Sequence, residues 1–320
     1  MKYLVFLTLL AYSISSYAVL PATPRIKLLR SKIHNLRNQV VSDIEKYQIG
    51  EVWGKHEVTA QELENKIIHR AALGTASVRM GGATSFYIGK FNGYHVMATN
   101  YHVYSDTSQC VGRPVRFISM NKVFKCVAFL GAWSKIDLAL YTIDVVTPED
   151  EAVFAQLAGN FAFKSSIHQN QPLLTLGYGL AMNPSYKLTI NYDSDCRVFS
   201  GDGEFVDLKD PDTMNPAPYT AVSFSNGCDI SHGDSGSAVL DRSTGALLGL
   251  VWTGATPKDP KVRSEDYLLD LVKLHRPEIW TQLSYAIPAP VIGKFLQAML
   301  SANPNLPPNI AQTIQAMLLN

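Results

Sequence analysis

Residues 232–240 are His-Gly-Asp-Ser-Gly-Ser-Ala-Val-Leu, and they place Ser235 in a glycine-rich turn directly before an apolar strand. Glycine allows a tight turn, and the missing Cβ of Gly233 lets backbone N–H groups point outward. Acyl transfer needs such an exposed hydroxyl beside N–H donors that stabilise a developing oxyanion. The same composition occurs in ordinary turns, so this stretch alone leaves both interpretations open.

Two upstream stretches supply the partners that a serine nucleophile needs. Residues 96–101 form an apolar strand and a turn that lead to His102, and Asp137 stands at the start of the apolar run 138–141. A serine hydroxyl is a weak nucleophile unless an adjacent base takes its proton, and that base is held by a third group. Each residue alone would suit a structural role. Together with Ser235 they predict a base, an orienting acid and a nucleophile.

The chain order His102, Asp137, Ser235 distinguishes between the folds that carry such residues. The α/β-hydrolases have the order Ser, Asp, His and a G-x-S-x-G turn, whereas residue 237 of this chain is serine. Subtilisin-like enzymes have the order Asp, His, Ser. The order His, Asp, Ser on β-rich sequence therefore favours the chymotrypsin-like arrangement.

The residue pattern from position 74 onward also indicates an all-β protein. Short runs rich in β-branched and aromatic residues alternate with Gly, Asn, Asp and Pro, which is typical of barrels or sandwiches. The predicted strands are Ser85–Ile88, Tyr94–Ala98, Val115–Ile118, Leu138–Ile143, Leu173–Leu176, Lys187–Ile190, Ala221–Phe224, Ala246–Val251 and Ser284–Ile287.

Residues 75–300 resemble the trypsin-like, chymotrypsin-fold serine peptidase family, especially the bacterial type related to glutamyl and lysyl endopeptidases. The matching stretches are Ala98–His102, Asp137–Leu140, Cys228–Asp229, Gly233–Ser237 and Gly249–Trp252. The resemblance implies two packed antiparallel β-barrels with a cleft between them. It also implies a serine endopeptidase that hydrolyses peptide bonds through an acyl-enzyme. A family member that binds proteins without cutting them is the alternative.

The same resemblance implies a role for each residue of the motifs. His102 would act as general base and then general acid, Asp137 would hold its imidazole, and Ser235 would attack the scissile carbonyl. The backbone N–H groups of Gly233 and Ser235 would form the oxyanion hole. In many relatives the residue at Asp234 pairs with a freshly cut N-terminus, and a cut after Arg70 is one hypothesis for such a zymogen.

Substrate preference is expected to depend on four residues near Ser235. Asp229 lies six positions before the serine, where similar enzymes with a buried carboxylate bind Lys or Arg. Val251, Trp252 and Thr253 would line the pocket. Val251 replaces the histidine of glutamyl-specific relatives, which argues against a Glu preference. It also replaces a serine that supports the catalytic aspartate in many relatives, which leaves the support of Asp137 in question.

The N-terminal residues predict export. Lys2 supplies a positive start, Tyr3–Tyr12 is a short apolar stretch, and Ser16–Ala18 offers small residues for cleavage. Residues 1–18 are therefore predicted to be a signal peptide of a secreted or periplasmic protein. The apolar stretch is short for a membrane span, so we expect no stable span after signal removal.

Export favours disulfides among the four cysteines. Three pairings are possible, and we favour Cys110–Cys126 across neighbouring strands and Cys196–Cys228 before Ser235. A zinc site is the weaker alternative because no C-x-x-C motif or histidine cluster is present. We expect neither a metal nor another cofactor.

The remaining segments complete the predicted organisation. Residues 19–70 are expected to form a helical docking arm or a pro-segment, with a second helix over Thr59–Arg70. The double-barrel domain spans 71–300, with a closing helix at Val291–Leu300, and 301–320 is a C-terminal tail. The net charge of +1 gives no reason to expect a nucleic-acid partner. The expected partners are protein or peptide substrates, and the oligomeric state is left open.

Overall fold

The computed structural model describes residues 54–79, 82–157, 161–180, 187–212, 216–254 and 284–320. Within these ranges the strands form a closed six-stranded barrel and an eight-stranded antiparallel sheet. This arrangement confirms the predicted all-β, chymotrypsin-like class. Among the described helices, none is long and apolar enough to cross a membrane. The predicted signal peptide and the first helix of the predicted arm lie outside the described residues.

The closed barrel comes from the first half of the domain, and its strand order is β2-β3-β4-β7-β6-β5. Pairing of Ser77 with Arg116 joins the two end strands. Asn92 and Gly93, both at positive φ, connect the hairpin between β3 and β4, as expected for a tight turn of this type. The strands are β2 Thr75–Val78, β3 Ala83–Phe91, β4 Tyr94–Thr99, β5 Pro114–Phe117, β6 Lys122–Trp133 and β7 Leu138–Ile143.

The eight-stranded sheet forms the second half and has the order β1-β9-β8-β12-β13-β14-β11-β10. Its first strand comes from the segment before the barrel, where His56 pairs with Ile190. The glycine-rich turn with Ser235 runs directly into β12. The strands are β1 His56–Glu57, β8 Leu173–Gly177, β9 Thr189–Asn191, β10 Val206–Lys209, β11 Thr220–Asn226, β12 Ala238–Asp241, β13 Leu247–Thr253 and β14 Ser284–Pro288.

Helices pack around the outside of the two halves. They are α1 Lys66–Gly74, α2 Thr107–Cys110, α3 Pro148–Leu157, α4 Ala289–Ala302 and α5 Pro308–Leu319. The predicted closing helix corresponds to α4. The tail is part of the packed structure, because α5 contacts β3 and α4 and buries Ile314 and Met317 completely.

The predicted helix over Thr59–Arg70 is divided in two. Thr59 and Glu62 form a reciprocal capping box, in which the Thr59 N–H lies 2.7 Å from a Glu62 oxygen. A short 3₁₀ turn, Glu62–Glu64, follows, and Asn65 then adopts an extended conformation. The Asn65 side chain accepts N–H bonds from Ile67 and Ile68 and so starts α1. The Arg70–Ala71 bond therefore lies inside a helix.

The two predicted disulfides are confirmed, since Cys110 pairs with Cys126 and Cys196 pairs with Cys228. Cys110 is the last residue of α2, however, and not part of a strand. Its bond ties this short helix to β6. The second bond joins Cys196, in the loop between β9 and β10, to Cys228, which follows β11 in the segment that leads to Ser235.

Candidate active site

Asp137 occupies the junction between a 3₁₀ turn, Ser134–Ile136, and β7. It adopts a left-handed conformation with φ 38°, which aspartate tolerates better than most residues. Its side chain is completely buried. The Asn100 side-chain amide donates to the backbone carbonyl oxygen of Asp137 at 3.0 Å, and the His102 backbone N–H donates to Asp137 Oδ1 at 3.0 Å. The carboxylate is therefore fixed by the turn that carries the histidine.

The His102 ring is oriented by this carboxylate. Nδ1 lies 2.8 Å from Asp137 Oδ2, and because a carboxylate only accepts, Nδ1 must carry the proton. Nε2 of the neutral ring is then left as an acceptor. Burial works to lower the pKa of His102, but the charge and hydrogen bond of Asp137 outweigh it, so the pKa is raised above 6.5. The ring is thus prepared to accept a proton.

Tyr219 gives Asp137 a further partner that the sequence did not indicate. Its hydroxyl donates to Asp137 Oδ1 at 2.6 Å. The Tyr219 ring packs edge-on against Tyr101 and nearly parallel to Trp252. This donor comes from the second half of the molecule. It gives Asp137 a hydrogen bond that the apolar side chain of Val251 cannot give. No local motif marks Tyr219, because the two partners are 82 residues apart in the chain.

Two glycines shape the turn around Ser235. Gly233 and Gly236 have φ values of 100° and 88°, a region that favours glycine. A Cβ on Gly233 would lie 2.5 Å from the Tyr178 carbonyl oxygen, and one on Gly236 would collide with the Thr84 carbonyl. The turn predicted from the sequence therefore requires glycine at both positions for backbone conformation and for space.

Thr84, on strand β3 of the barrel, fastens this turn to the first half. Its N–H donates to the Ser235 carbonyl at 2.9 Å, and its hydroxyl donates to the Gly233 carbonyl at 2.7 Å. The same hydroxyl accepts from the Tyr178 N–H at 2.9 Å. Both carbonyls of the turn are therefore directed into the protein. Sequence reasoning missed Thr84, which lies 149 residues before Gly233.

The N–H groups of Gly233 and Ser235 have no hydrogen-bond partner among the described residues. Both residues line a cleft of about 250 Å³, and His102 lines the same cleft. The Ser235 hydroxyl likewise has no partner in the described parts of the chain, and no hydrogen bond there joins it to the His102 ring. The cleft thus brings together an oriented imidazole, an available hydroxyl and two available N–H donors.

Comparison with known proteins identifies the family. The family model described as a trypsin-like peptidase domain matches residues 83–250, just over half of the chain. The chain belongs to this family. No curated protein matches the sequence.

Solved structures similar to this peptidase chain include the Rv3671c protease of M. tuberculosis. A serine-to-alanine mutant in the inactive form is 17% identical with a TM-score of 0.48, and the match covers 79% of this chain and 97% of that one. For its active form the identity is 17% and the TM-score 0.45, over 76% and 87% of the two chains. The HtrA-type protease AlgW with a tripeptide is 14% identical with a TM-score of 0.44, over 74% and 63%.

The expected specificity residues of the peptidase domain divide into two groups. Val251, Trp252 and Thr253 line the cleft, together with the carboxylates of Asp210 and Asp212. The Thr253 hydroxyl donates to Asp210, and burial raises the pKa of Asp210 above its ordinary value. Two carboxylates that the sequence did not single out therefore lie on the wall of the cleft.

Asp229, which was expected in the substrate pocket, lies outside the residues that line the cleft. Its Oδ2 accepts from the Gly54 N–H at 2.6 Å, and its own N–H donates to the Asn191 side chain. Burial and the negative charge of Asp193 raise the pKa of Asp229 to about 6. In the described residues this carboxylate therefore binds the segment before β1.

Proposed function

We propose that this peptidase is an endopeptidase in which Ser235 is the nucleophile, His102 the general base and Asp137 the orienting acid. The observation that carries the proposal is the 2.8 Å contact between His102 Nδ1 and Asp137 on the wall of the cleft that also contains Ser235. This contact leaves Nε2 free to take the proton of a nucleophile.

In the proposed reaction the Ser235 oxygen attacks the scissile carbonyl carbon while its proton passes to His102 Nε2. The carbonyl oxygen becomes an oxyanion and accepts bonds from the N–H groups of Gly233 and Ser235. The carbon–nitrogen bond then breaks, and the leaving amine takes the proton from His102. A water molecule attacks the resulting ester by the same route, which releases the acid and restores the serine.

The absence of other partners supports the oxyanion hole. Any donor engaged elsewhere would have to exchange that bond for the substrate, whereas the described residues leave these two N–H groups available. Thr84 adds to this, because it draws the Gly233 carbonyl inward at 2.7 Å and so fixes the orientation of the turn.

A labelling experiment tests the proposal. The wild-type protein should react with a serine-directed fluorophosphonate, and mass spectrometry should place the label on Ser235. S235A should show no label, H102A should label far more slowly, and wild-type protein should cleave peptides. Failure of the folded wild-type protein to label and to cleave would contradict the proposal.

That failure would favour the second candidate, a family member that binds proteins without cutting them. One observation favours it: no hydrogen bond joins the Ser235 hydroxyl to the His102 ring in the described residues. Catalytic hydrogen bonds are often long before substrate binds, so the absent bond is compatible with activity. A folded protein that captures a protein ligand equally well with Ser235 and with S235A would establish the binding function.

We also propose that the protein acts outside the cytoplasm after removal of residues 1–18. The disulfides Cys110–Cys126 and Cys196–Cys228 support this location, because such bonds persist in oxidising compartments. N-terminal sequencing of protein from the periplasm or the medium should begin at residue 19. Recovery only from the reducing cytoplasm, with free thiols, would contradict it.

A further inference from the structure

A buried ion pair lies directly behind the turn that carries Ser235. The Lys55 Nζ is 2.5 Å from Asp234 Oδ1, and the two side chains are 2% and 1% exposed. Lysine is almost never fully buried unless it is paired. Because the two residues are 179 positions apart, no local sequence signal marks this lysine as part of the site.

Asp234 has neutral donors in addition to Lys55. Its Oδ1 accepts from the Gly179 N–H at 3.1 Å, and its Oδ2 accepts from the Ser231 N–H at 2.9 Å. Within the described ranges, Lys55 is the one cation at salt-bridge distance from this carboxylate. A buried carboxylate without a cation is strongly disfavoured, so its position depends on the lysine.

The position of Asp234 determines the geometry of the proposed oxyanion hole. Asp234 stands between Gly233 and Ser235, whose N–H groups are the two donors. Its inward-facing carboxylate therefore fixes the two peptides that flank it, of which one carries the Ser235 N–H and the other carries the Gly233 carbonyl that accepts from Thr84. If the side chain turned toward solvent, the peptide with the Ser235 N–H would rotate, and this donor would no longer converge with the Gly233 N–H on one point.

Lys55 is itself held by the strand that follows it. Gly54 donates to Asp229 at 2.6 Å, His56 pairs with Ile190 on β9, and the Val58 N–H donates to the Leu188 carbonyl at 3.1 Å. The ammonium group is therefore delivered to Asp234 by a fixed backbone on both sides of the lysine.

Cleavage of the Arg70–Ala71 bond would free the α-amino group of Ala71 as an alternative cation for Asp234, but this bond is poorly placed for cleavage. It lies inside α1, Ala71 is buried, and the Arg70 side chain donates to the Leu157 carbonyl. Cleavage there would require the helix to unwind and Ala71 to leave the core.

We propose that Lys55 is a positioning residue whose ammonium holds the Asp234 turn in its active conformation in a chain that is not cut after Arg70. An internal lysine would thus take the place of a released N-terminal amine. This inference rests on the proposed peptidase function, because its effect is measured on the reactivity of Ser235.

The first test removes the charge and keeps the apolar stem. K55M should lower kcat on a peptide substrate about 100-fold, the size expected for loss of an oxyanion donor, with KM changed only a few-fold. K55R should keep at least a tenth of the activity. K187M is the matched control, because it removes an exposed lysine whose ammonium lies 2.8 Å from Glu57 on β1; it should leave kcat unchanged.

A rescue experiment separates positioning from general destabilisation. K55A leaves space for a small cation, so ethylammonium chloride should raise its fluorophosphonate labelling rate at least tenfold. Sodium chloride of equal ionic strength should not. Equal effects of the two salts, or a folded K55M with kcat within threefold of wild type, would overturn the inference.

The last experiment does not require any Lys55 variant to fold. R70Q, which removes the basic residue before the supposed cut, should label and cleave like wild type, and the active protein should still contain Lys55. An inactive but folded R70Q, or active wild-type protein that begins at Ala71, would overturn the inference. Wild-type protein that neither labels nor cleaves would instead contradict the proposed function itself.

Discussion

Two buried carboxylates, one in each half of the molecule, are held in different ways. Asp137 receives hydrogen bonds from the His102 ring, the His102 N–H and the Tyr219 hydroxyl. Asp234 receives a lysine ammonium at 2.5 Å. The first carboxylate faces the imidazole of the proposed base, which has to gain and lose a proton in the proposed reaction, whereas the second faces a lysine ammonium. The barrel side is thus arranged for proton transfer, and the Ser235 side for a fixed backbone.

The largest expected effect comes from breaking the first arrangement. D137N should lower kcat/KM about 10⁴-fold, because an amide facing Nδ1 favours the wrong tautomer of His102. The measurement is steady-state kinetics on one peptide, with the melting temperature as a check on folding. A folded D137N with kcat/KM within tenfold of wild type would show that Asp137 does not orient the base.

The pH dependence of kcat/KM should also reflect the pair of His102 and Asp137. Since Asp137 raises the pKa of His102 above 6.5 and the base must be neutral, activity should fall as pH decreases through that pKa. Between pH 8 and pH 5, kcat/KM should drop more than about 30-fold. Full activity at pH 5, measured on protein that remains folded, would contradict the assignment of His102 as the base.

A smaller effect is expected from Tyr219, whose substitution tests one of the hydrogen bonds that hold Asp137. Y219F removes one donor from Asp137 and keeps the ring between Tyr101 and Trp252. Hydrogen bonds to charged groups contribute roughly 1.5–3 kcal/mol, so kcat/KM should fall about tenfold. Y101F, whose ring packs edge-on against Tyr219, is the control for altered packing. Equal rates for Y219F and wild type would remove Tyr219 from the site.

The sequence predicted the elements that are locally encoded. The strand Leu138–Ile143 was predicted with the bounds that the structure has, because it is a continuous apolar run after a turn. Strand β6, Lys122–Trp133, was missed because lysines and exposed valines interrupt its apolar pattern. The helix Pro148–Leu157 was also missed, since its apolar and polar residues do not separate clearly into two faces.

In the candidate site, too, the sequence predicted the locally encoded features and not the contacts between distant residues. His102, Asp137 and Ser235 each stand in a recognisable local setting, and their order in the chain was informative. The groups that hold them could not be predicted, because Thr84, Lys55 and Tyr219 reach partners that are 149, 179 and 82 residues away and come near them only in the folded chain. Periodicity and turn signals describe neighbours in the chain and carry no information about such distant pairs.

The smallest effect on catalysis is expected at Asp229, a third carboxylate near the turn. Because it binds Gly54 and lies outside the cleft lining, D229N should leave the ratio of kcat/KM for Lys or Arg over neutral residues within about twofold. D212N, which changes a carboxylate on the cleft wall, is the matched comparison. A basic preference that disappears in D229N and survives in D212N would return Asp229 to the specificity pocket.

Stability should distinguish Asp229 from the other two carboxylates. Its folded-state pKa is raised to about 6 from 3.8, so its contribution to stability is full below 3.8 and is lost as pH rises through 6. At pH 7.5, D229N should therefore melt at the same temperature as wild type or higher. Any such difference should narrow as pH falls below 6, because the wild-type carboxyl then becomes neutral. A D229N protein that melts well below wild type at pH 7.5 would mean that the charge of Asp229 is needed for stability.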